Sequence, residues 1–421
     1  MREIYDAIII GGGASGLMTA IAAAGAGCRV LIAEKMEKCG RKVRITGKGR
    51  CNITNMTDTE TFLGKVRSGA QFVRKALETL PPERLRRMLE EAGVRTVEER
   101  GRRLFPASGR AFEVADALVR MAGRAGAEIV YHARVTELER SGDVWHVITE
   151  RRDGERVTLS CRNAVIATGG VSYKATGSTG DGYLLAHRLG HSIVPLRPSL
   201  VSLVTDRPVF GRIREQLRNV SLTLYADGVE RGAQQGEMTI DGDIIEGPIV
   251  LRLSREAVDA LTDGKHVEAV LSLKPALTST QITERIRRET EADASLTVEE
   301  LIRKMAPRTL VRGIMSTAKV KNSDMAAGIS DTAREAIIKA LTAIPLHITD
   351  YGGFDEAVVT AGGVSLDEVD SATMESQKAP GIYLTGETLD IDADTGGYNL
   401  QLAFSTGFLC GMSIAEKRRR H

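Results

Sequence analysis

Residues 5–35 read YDAIIIGGGASGLMTAIAAAGAGCRVLIAEK. An apolar, β-branched run at 7–10 leads into the turn Gly11-Gly12-Gly13-Ala14-Ser15-Gly16. An alanine-rich helical pattern follows to about Ala26, and a second apolar run at 29–33 ends in Glu34. Strand, tight turn, helix, strand and acid, in that order, make a dinucleotide-binding βαβ unit. Each part has a physical task. Gly11 permits the sharp turn, Gly13 lets backbone approach a pyrophosphate, and Gly16 lets helix and strand pack closely. The helix N-terminus offers unpaired N–H groups and partial positive charge to phosphate oxygens. Glu34, eighteen residues beyond Gly16, is placed to accept hydrogen bonds from ribose hydroxyls. The stretch fits FAD and NAD alike.

The chain has 421 residues, enough for two or three domains with sizeable cores. A hydrophobic content of 42% and a charged content of 27% are those of a soluble globular protein, and a net charge of +2 supplies no field to gather nucleic acid. The basic tail Lys417-Arg418-Arg419-Arg420 reads as a solvated helix end. The five cysteines, Cys28, Cys39, Cys51, Cys161 and Cys410, form no CxxC pair. That argues against a disulfide framework, a zinc ribbon and a dithiol oxidoreductase, and fits a reducing, cytoplasmic setting. The uncharged stretch 7–28 is long enough to register as a membrane span. Its three central glycines fit a buried βαβ unit better, so neither a targeting segment nor a membrane span is expected.

Past Glu34 lies a polar loop, KCGRKVRITGKGRCNITN at 38–55. It is not a Walker loop: Gly47-Lys48 lacks the glycine five places earlier, and Gly49 stands where Ser or Thr belongs. A long polar loop directly after the ribose-binding strand is expected to hold a ligand. Helices are expected at 71–79, 82–92 and 111–125, and strands at 128–139, 144–151, 156–160 and 164–167. The last of these ends in Ala167-Thr168-Gly169-Gly170, small residues suited to close approach of a nucleotide. Short strands at 200–205, 220–225, 236–245 and 266–273, with Asp-Gly turns, indicate a small barrel or sandwich. Helical patterns at 280–290, 297–305, 310–318 and 332–341 follow. Strands return at 345–349, 356–360 and 382–385, and a final helix spans 398–416. No metal site is expected. His187 and His191 lack a third ligand, and the DIDAD run at 390–394 lacks the glycine and glutamate of a calcium loop.

No second GxGxxG-type unit follows residue 35. One N-terminal fingerprint, a mid-chain ATGG and a C-terminal strand-Gly-acid then Gly-Gly-helix form the order of FAD enzymes of the glutathione-reductase-like superfamily. Within it the chain resembles the BaiN-like NAD(P)/FAD-dependent oxidoreductases. The resemblance rests on GGGASG (11–16), TGKGRCNITN (46–55), LFPASGRA (104–111), ATGGVSYKATGSTGDGY (167–183), VTAGGVSLDEV (359–369) and GIYLTGETLDIDADTGGYNLQLAFSTG (381–407). Two positions depart from the pattern: Lys174 stands where Pro is expected, and Arg110 where Lys is usual.

The resemblance implies an α/β fold, with an FAD-binding Rossmann-like (glutathione-reductase-like) domain at 1–195 and 353–421. An inserted β-barrel would occupy 196–275 and 343–352, and a small helical domain 276–342. It also implies non-covalent FAD, with NAD(P)H as a transient co-substrate. Members of the family reduce 3-oxo-Δ4 bile-acid intermediates or oxidise aminoacetone-type amines. The expected activity is that of an FAD-dependent oxidoreductase: hydride passes between flavin N5 and a small organic substrate, here in NAD(P)H-dependent reduction of an enone C=C bond. An amine oxidase using O2 is the alternative enzyme. A non-catalytic FAD-binding or RNA-modification-associated protein is the alternative from another class, which the near-zero net charge disfavours. Neither nucleic acid nor membrane is an expected partner, and the sequence does not determine the oligomeric state.

On this reading the ADP half of FAD falls to Gly11, Gly13, Ala14, Ser15, Gly16 and Glu34. The flavin half falls to Thr46, Gly47, Gly49, Arg50, Cys51 and Asn52, and to Gly386, Glu387, Asp390, Gly396, Gly397, Tyr398, Asn399 and Gln401. Lys35, Lys42, Val135, Thr168, Gly169 and Gly170 complete the cofactor-binding candidates. Free N–H groups at the start of the last helix would stabilise the charge that reduction places at flavin N1 and the C2 carbonyl. Lys48 and Tyr398 are the candidate catalytic, proton-handling residues. Cys51, beside Arg50 and Lys48, reads as a packed cysteine near the cofactor, with an acidified redox thiol as the alternative.

Overall fold

The computed structural model describes residues 4–420, which form two compact units. The first runs to Pro198 and resumes at Ala357; the second is Ser199–Glu356.

In the first unit, β1 (Tyr5–Ile10), α1 (Ala14–Gly25) and β2 (Val30–Ala33) form the expected βαβ start. β1 pairs in parallel with β2, Ala7 opposite Val30, and with the strand Arg156–Ile166, Ile8 opposite Ala164. Strands of a parallel sheet are covered on both faces, which is why β2 and the last four residues of β1 are apolar and buried without alternation. Glu128–Val130 extends the sheet beyond β2, and Ile382–Leu384 joins in parallel opposite Ala164, Val165 and Ile166. The first half of Arg156–Ile166 pairs antiparallel with Val144–Glu150, which is itself paired with Arg134–Ser141. One strand thus covers what the sequence pattern divides into 156–160 and 164–167, because partners on both flanks carry it through. The expected strand at 128–139 is broken instead, as His132 takes a φ of +57° between Glu128–Val130 and Arg134–Ser141.

Helix α1 lies against the last helix, Tyr398–Arg420. A Cβ at Gly407 would stand 2.2 Å from the Ser15 carbonyl oxygen, and one at Gly411 would stand 2.5 Å from that of Thr19. These glycines lie one turn apart on one helix face and let the two backbones touch.

The second unit holds a closed six-stranded barrel. Its order is Leu203–Thr205, Ile244–Glu246, Val229–Asp241, Arg214–Ala226, Val267–Ser272 and Ile344–Tyr351, the last pairing back onto the first. Asp227 and Gly228 have φ of +50° and +77°, the left-handed pair that a tight two-residue hairpin needs. The strand-based reading leaves residues 247–265 without an element. There the chain forms a helix, Pro248–Thr262, with Pro in its first turn and Ile249, Val250, Leu253, Ala257 and Val258 buried. Helices Ser279–Ala292, Val298–Arg303, Val311–Ala318 and Asp331–Thr342 share one apolar core with the barrel, Ile282, Leu301, Ile314 and Leu341 clustering with Leu222, Leu271 and Ile348. Thr278 with Gln281, and Thr297 with Glu300, form reciprocal capping boxes at two of these helix starts.

His187 and His191 do not act together. His187 is exposed, whereas His191 is buried, with Nδ1 3.1 Å from Glu368 Oε2 and Nε2 2.8 Å from Ser376 Oγ. Desolvation lowers the His191 pKa, and the Glu368 carboxylate opposes it without cancelling it.

Two outcomes are expected. Gly407→Ala should destabilise the protein by about 1–3 kcal/mol through overpacking, as measured by urea denaturation. Gly123→Ala, in the helix Ala111–Arg124 with no atom within 4 Å of the added Cβ, should instead stabilise. The lowered His191 pKa means that the unfolded chain binds a proton first as pH falls below about 6.5. Stability should therefore decline as pH falls below about 6.5, and His191→Gln should flatten that decline; an unchanged slope in the variant contradicts the assignment.

Candidate functional site

The glycine turn is built as a cradle. Gly11 has a φ of +104°, and a Cβ there would stand 2.7 Å from the Ala167 carbonyl oxygen. A Cβ at Gly16 would stand 2.0 Å from the Gly11 oxygen, so only hydrogen fits between α1 and the turn. Around Gly13 the space is open to 4 Å. Gly13 caps α1 without a side-chain hydrogen bond, and no acid occupies the first turn, so the N-terminal N–H groups and their partial charge have no carboxylate partner there. Ser15 and Ala14 form the first turn of that helix.

Glu34 closes one side of the cradle. Its Oε2 accepts from the Gly12 N–H at 2.7 Å and its Oε1 from the Met36 N–H at 2.8 Å. Burial pushes its pKa up, and the two backbone donors act against that. Gly12 received no role in the sequence reading, yet a Cβ there would stand 2.2 Å from Cys39 Sγ and 3.1 Å from Glu34 Oε2. The middle glycine of GGG was the available signal. Val135 is buried at the start of the strand Arg134–Ser141, just past Ala133, whose N–H donates to the Glu34 carbonyl oxygen.

The mid-chain strand end and the C-terminal segment meet on the same side. A Cβ at Gly386 would stand 2.7 Å from Ser15 Oγ, which brings the strand end Ile382–Leu384 to the start of α1. Gly170 packs against Thr360, where a Cβ would lie 2.4 Å from Oγ1, and Thr388 Oγ1 donates to the Gly169 carbonyl at 3.4 Å. Thr168 Oγ1 lies 3.5 Å from Thr388 Oγ1. Glu387 is held by three donors: Lys42 Nζ at 2.7 Å, Ser172 Oγ at 3.0 Å and the Thr360 N–H at 2.7 Å. Asp390 Oδ1 accepts from the Gly362 N–H at 3.1 Å. Ser172 and Thr360 lie inside two of the quoted blocks, yet nothing in those blocks pairs them with Glu387; only the fold brings them together.

The polar loop and the start of the last helix form the third part. A Cβ at Gly397 would stand 2.5 Å from the Thr54 carbonyl carbon, and Asn55 Nδ2 donates to the oxygens of Gly101 and Gly396 at 3.0 and 3.3 Å. Asn399 exchanges hydrogen bonds with the backbone of Ala393, which fixes the segment before the helix. Tyr398 is buried edge-on against Phe62, ring centroids 4.8 Å apart. Gln401 is fully buried and donates to the Leu80 carbonyl and Ser405 Oγ. Its amide thus ties the last helix to the end of the helix Ala70–Thr79.

Within the loop, Thr46 Oγ1 caps the short helix α2 (Arg41–Ile45) by donating to the Val43 carbonyl. Lys48 is exposed and left-handed, at φ +57°, between Gly47 and Gly49, which are left-handed too. For a residue with a Cβ that conformation costs about 1–2 kcal/mol. Arg50 pairs with Glu99 and lies 4.4 Å over the Phe105 ring. Cys51 is fully buried, and burial pushes its thiol up to about 12, so the acidified-thiol alternative does not hold. Asn52 Oδ1, Asn55 Oδ1 and Thr385 Oγ1 are buried with no hydrogen-bond partner. An open cradle at Gly13, an uncapped helix start and these unpaired acceptors and hydroxyls fit a polar dinucleotide. All five cysteines are free and buried, so a disulfide-exchange reagent such as DTNB should find no rapidly reacting thiol in the native protein at pH 8. A fast stoichiometric thiol would contradict this packing.

The comparisons agree with this architecture. The family model for the HI0933-like protein Rossmann domain matches residues 5–413. The 3-dehydro-bile acid Δ(4,6)-reductase of Clostridium scindens is 32% identical over 97% of this chain and 98% of its own length. The ribosomal RNA dihydrouridine synthase of Escherichia coli is 26% identical over 98% of both. Among solved structures, the 3-ketosteroid Δ1-dehydrogenase of Sterolibacterium denitrificans has the same fold at 13% identity and a TM-score of 0.52, over 98% of this chain and all of its own. The chain belongs to the HI0933-like Rossmann family, flavoprotein oxidoreductases built on an FAD-binding fold.

Proposed function

We propose that this protein binds FAD non-covalently and reduces a C=C bond conjugated to a carbonyl in a small organic substrate, with NADH or NADPH as electron donor. The observation that carries the reading is the convergence at Ser15: the open Gly13 cradle, the uncapped start of α1 and the Gly386 strand end all meet there. Gly11, Gly13, Ala14, Ser15, Gly16 and Glu34 would hold the ADP half. The loop at 46–52 and the segment 386–399 would hold the flavin half. FAD bound there and reduced by NADH or NADPH would supply a hydride for the β-carbon of the unsaturated carbonyl.

The chain's own residues then have separate tasks. N–H groups at the start of the last helix, behind Gly396 and Gly397, would face negative charge on the cofactor. Lys48, exposed and strained between two glycines, is the candidate for delivering a proton to the substrate α-carbon. Tyr398, packed against Phe62, suits holding the helix start better than moving a proton. With no second glycine-turn unit, the nicotinamide donor would visit transiently. Free, buried cysteines fit a cytoplasmic location.

The names of the two relatives support the chemistry together. A Δ(4,6)-reductase of a 3-dehydro-bile acid and a dihydrouridine synthase both saturate a C=C bond conjugated to a carbonyl. Greater identity favours the lipid-like enone. A uracil base in ribosomal RNA is the second reading, favoured by full-length similarity to the synthases. An amine oxidase using O2 is the weaker enzyme alternative.

The test is an anaerobic flavin-bleaching screen. NADH or NADPH should bleach the bound flavin, and a 3-oxo-Δ4 steroid acid should restore its colour. Restoration by uridine-containing rRNA alone would establish the second reading; bleaching by an amine alone would replace the reductase reading with the oxidase. Gly13→Val should leave the fold intact, since its side chain enters open space, yet abolish flavin retention. A yellow Gly13→Val protein would falsify the cradle assignment.

A further inference from the structure

Residues 172–181, SYKATGSTGD, cross from the mid-chain strand end to the helix Asp181–Arg188. Within the segment the Thr176 N–H and the Gly177 N–H donate to the carbonyls of Tyr173 and Lys174, and at its start Ser172 donates outward, its N–H to Thr360 Oγ1 at 3.2 Å and its Oγ to Glu387 at 3.0 Å. Tyr173 is left-handed at φ +52°, and so are Gly177 and Gly180. Beyond those two bonds and Arg134, whose Nη2 donates to Asp181 Oδ1 at 3.0 Å, the segment is fastened to the body by a row of cations from the eight residues directly after Glu34. Lys35 Nζ reaches Thr179 Oγ1 at 2.5 Å and Asp181 Oδ2 at 2.7 Å. Arg41 Nη2 donates to the Ala175 carbonyl at 2.9 Å. Lys42 Nζ donates to Ser172 Oγ at 2.6 Å and to Glu387 at 2.7 Å. Beneath Gly177 lies Met36, whose Cγ would be 3.0 Å from an added Cβ.

Lys42, Arg41 and Lys35 thus engage the segment at its start, middle and end, and all three leave the chain within eight residues of Glu34. Resting on the FAD reading above, we propose that residues 172–181 are a strap pinned by Lys35, Arg41 and Lys42 alongside the adenosine end of the dinucleotide site, and that its release sets the rate of cofactor exchange. Lys35 and Lys42 are then positioning residues: their donors are committed to the strap, not to the cofactor. Lys174, exposed at its crest, faces solvent and does not fasten it.

The experiment uses the FAD-loaded protein. FAD release, followed by the rise in flavin fluorescence after dilution, should quicken as sodium chloride goes from 0.05 to 0.5 M, because salt screens partly exposed ion pairs. Lys35→Met should quicken release about fivefold, the upper size for a partly exposed ion pair, and Lys35→Arg should restore it; Arg41→Met, which removes the hydrogen bond to the Ala175 carbonyl, should quicken release by a smaller factor. Trypsin should cut after Lys174 faster in the Met variants than in the wild type, with Lys174→Gln as the control that removes the site. The salt series needs no variant, so a misfolded mutant does not decide the outcome. Release and cleavage unchanged by salt and by both substitutions would overturn the strap while leaving FAD binding in place. A protein that retains no FAD would overturn the flavin reading and the strap with it.

Discussion

Backbone contact at Ser15 and Gly16 is the constraint on which the site depends. The Gly11 turn, the strand end at Gly386 and the last helix at Gly407 all close on these two residues, and at each contact a methyl group would overlap a heavy atom. Packed interiors do not absorb such an overlap without shifting backbone. The start of α1 is therefore held from three directions by segments from opposite ends of the chain. Its N–H groups keep one direction and one depth, which a helix dipole must have to bind an anion.

Charge is managed differently at the two acids of the site. Glu34 is nearly enclosed, and two backbone N–H groups compensate its desolvation. Glu387 lies in a network with Lys42, Ser172 and the Thr360 N–H. A partly buried pair of this kind contributes little net stability, since desolvation offsets the Coulombic gain. Its value is positional. Lys42 touches the strap and Glu387 at once, so the loop after β2 and the C-terminal segment share one anchor.

Some of this was legible in the sequence because the physics is local. The run 7–10 must be a buried strand, and Gly11 must take a left-handed turn; both follow from neighbours within a few residues. The Asp227-Gly228 hairpin was readable for the same reason. The helix Pro248–Thr262 was missed because strand-like neighbours on both sides obscured its 3.6-residue spacing. The break at His132 has no marker in composition.

The sequence by itself determined the dinucleotide cradle, since strand, glycine turn, helix and acid lie within thirty residues. Tertiary structure alone decided which polar groups complete it. Ser172, Thr360 and Lys42 reach Glu387 from three distant segments, and Gln401, inside a strongly patterned block, turns into the core to bond Leu80. A turn or a helix cap is set by bonds between near neighbours. A side chain's partner across hundreds of residues depends on where the packed backbone leaves room, and no local pattern encodes that.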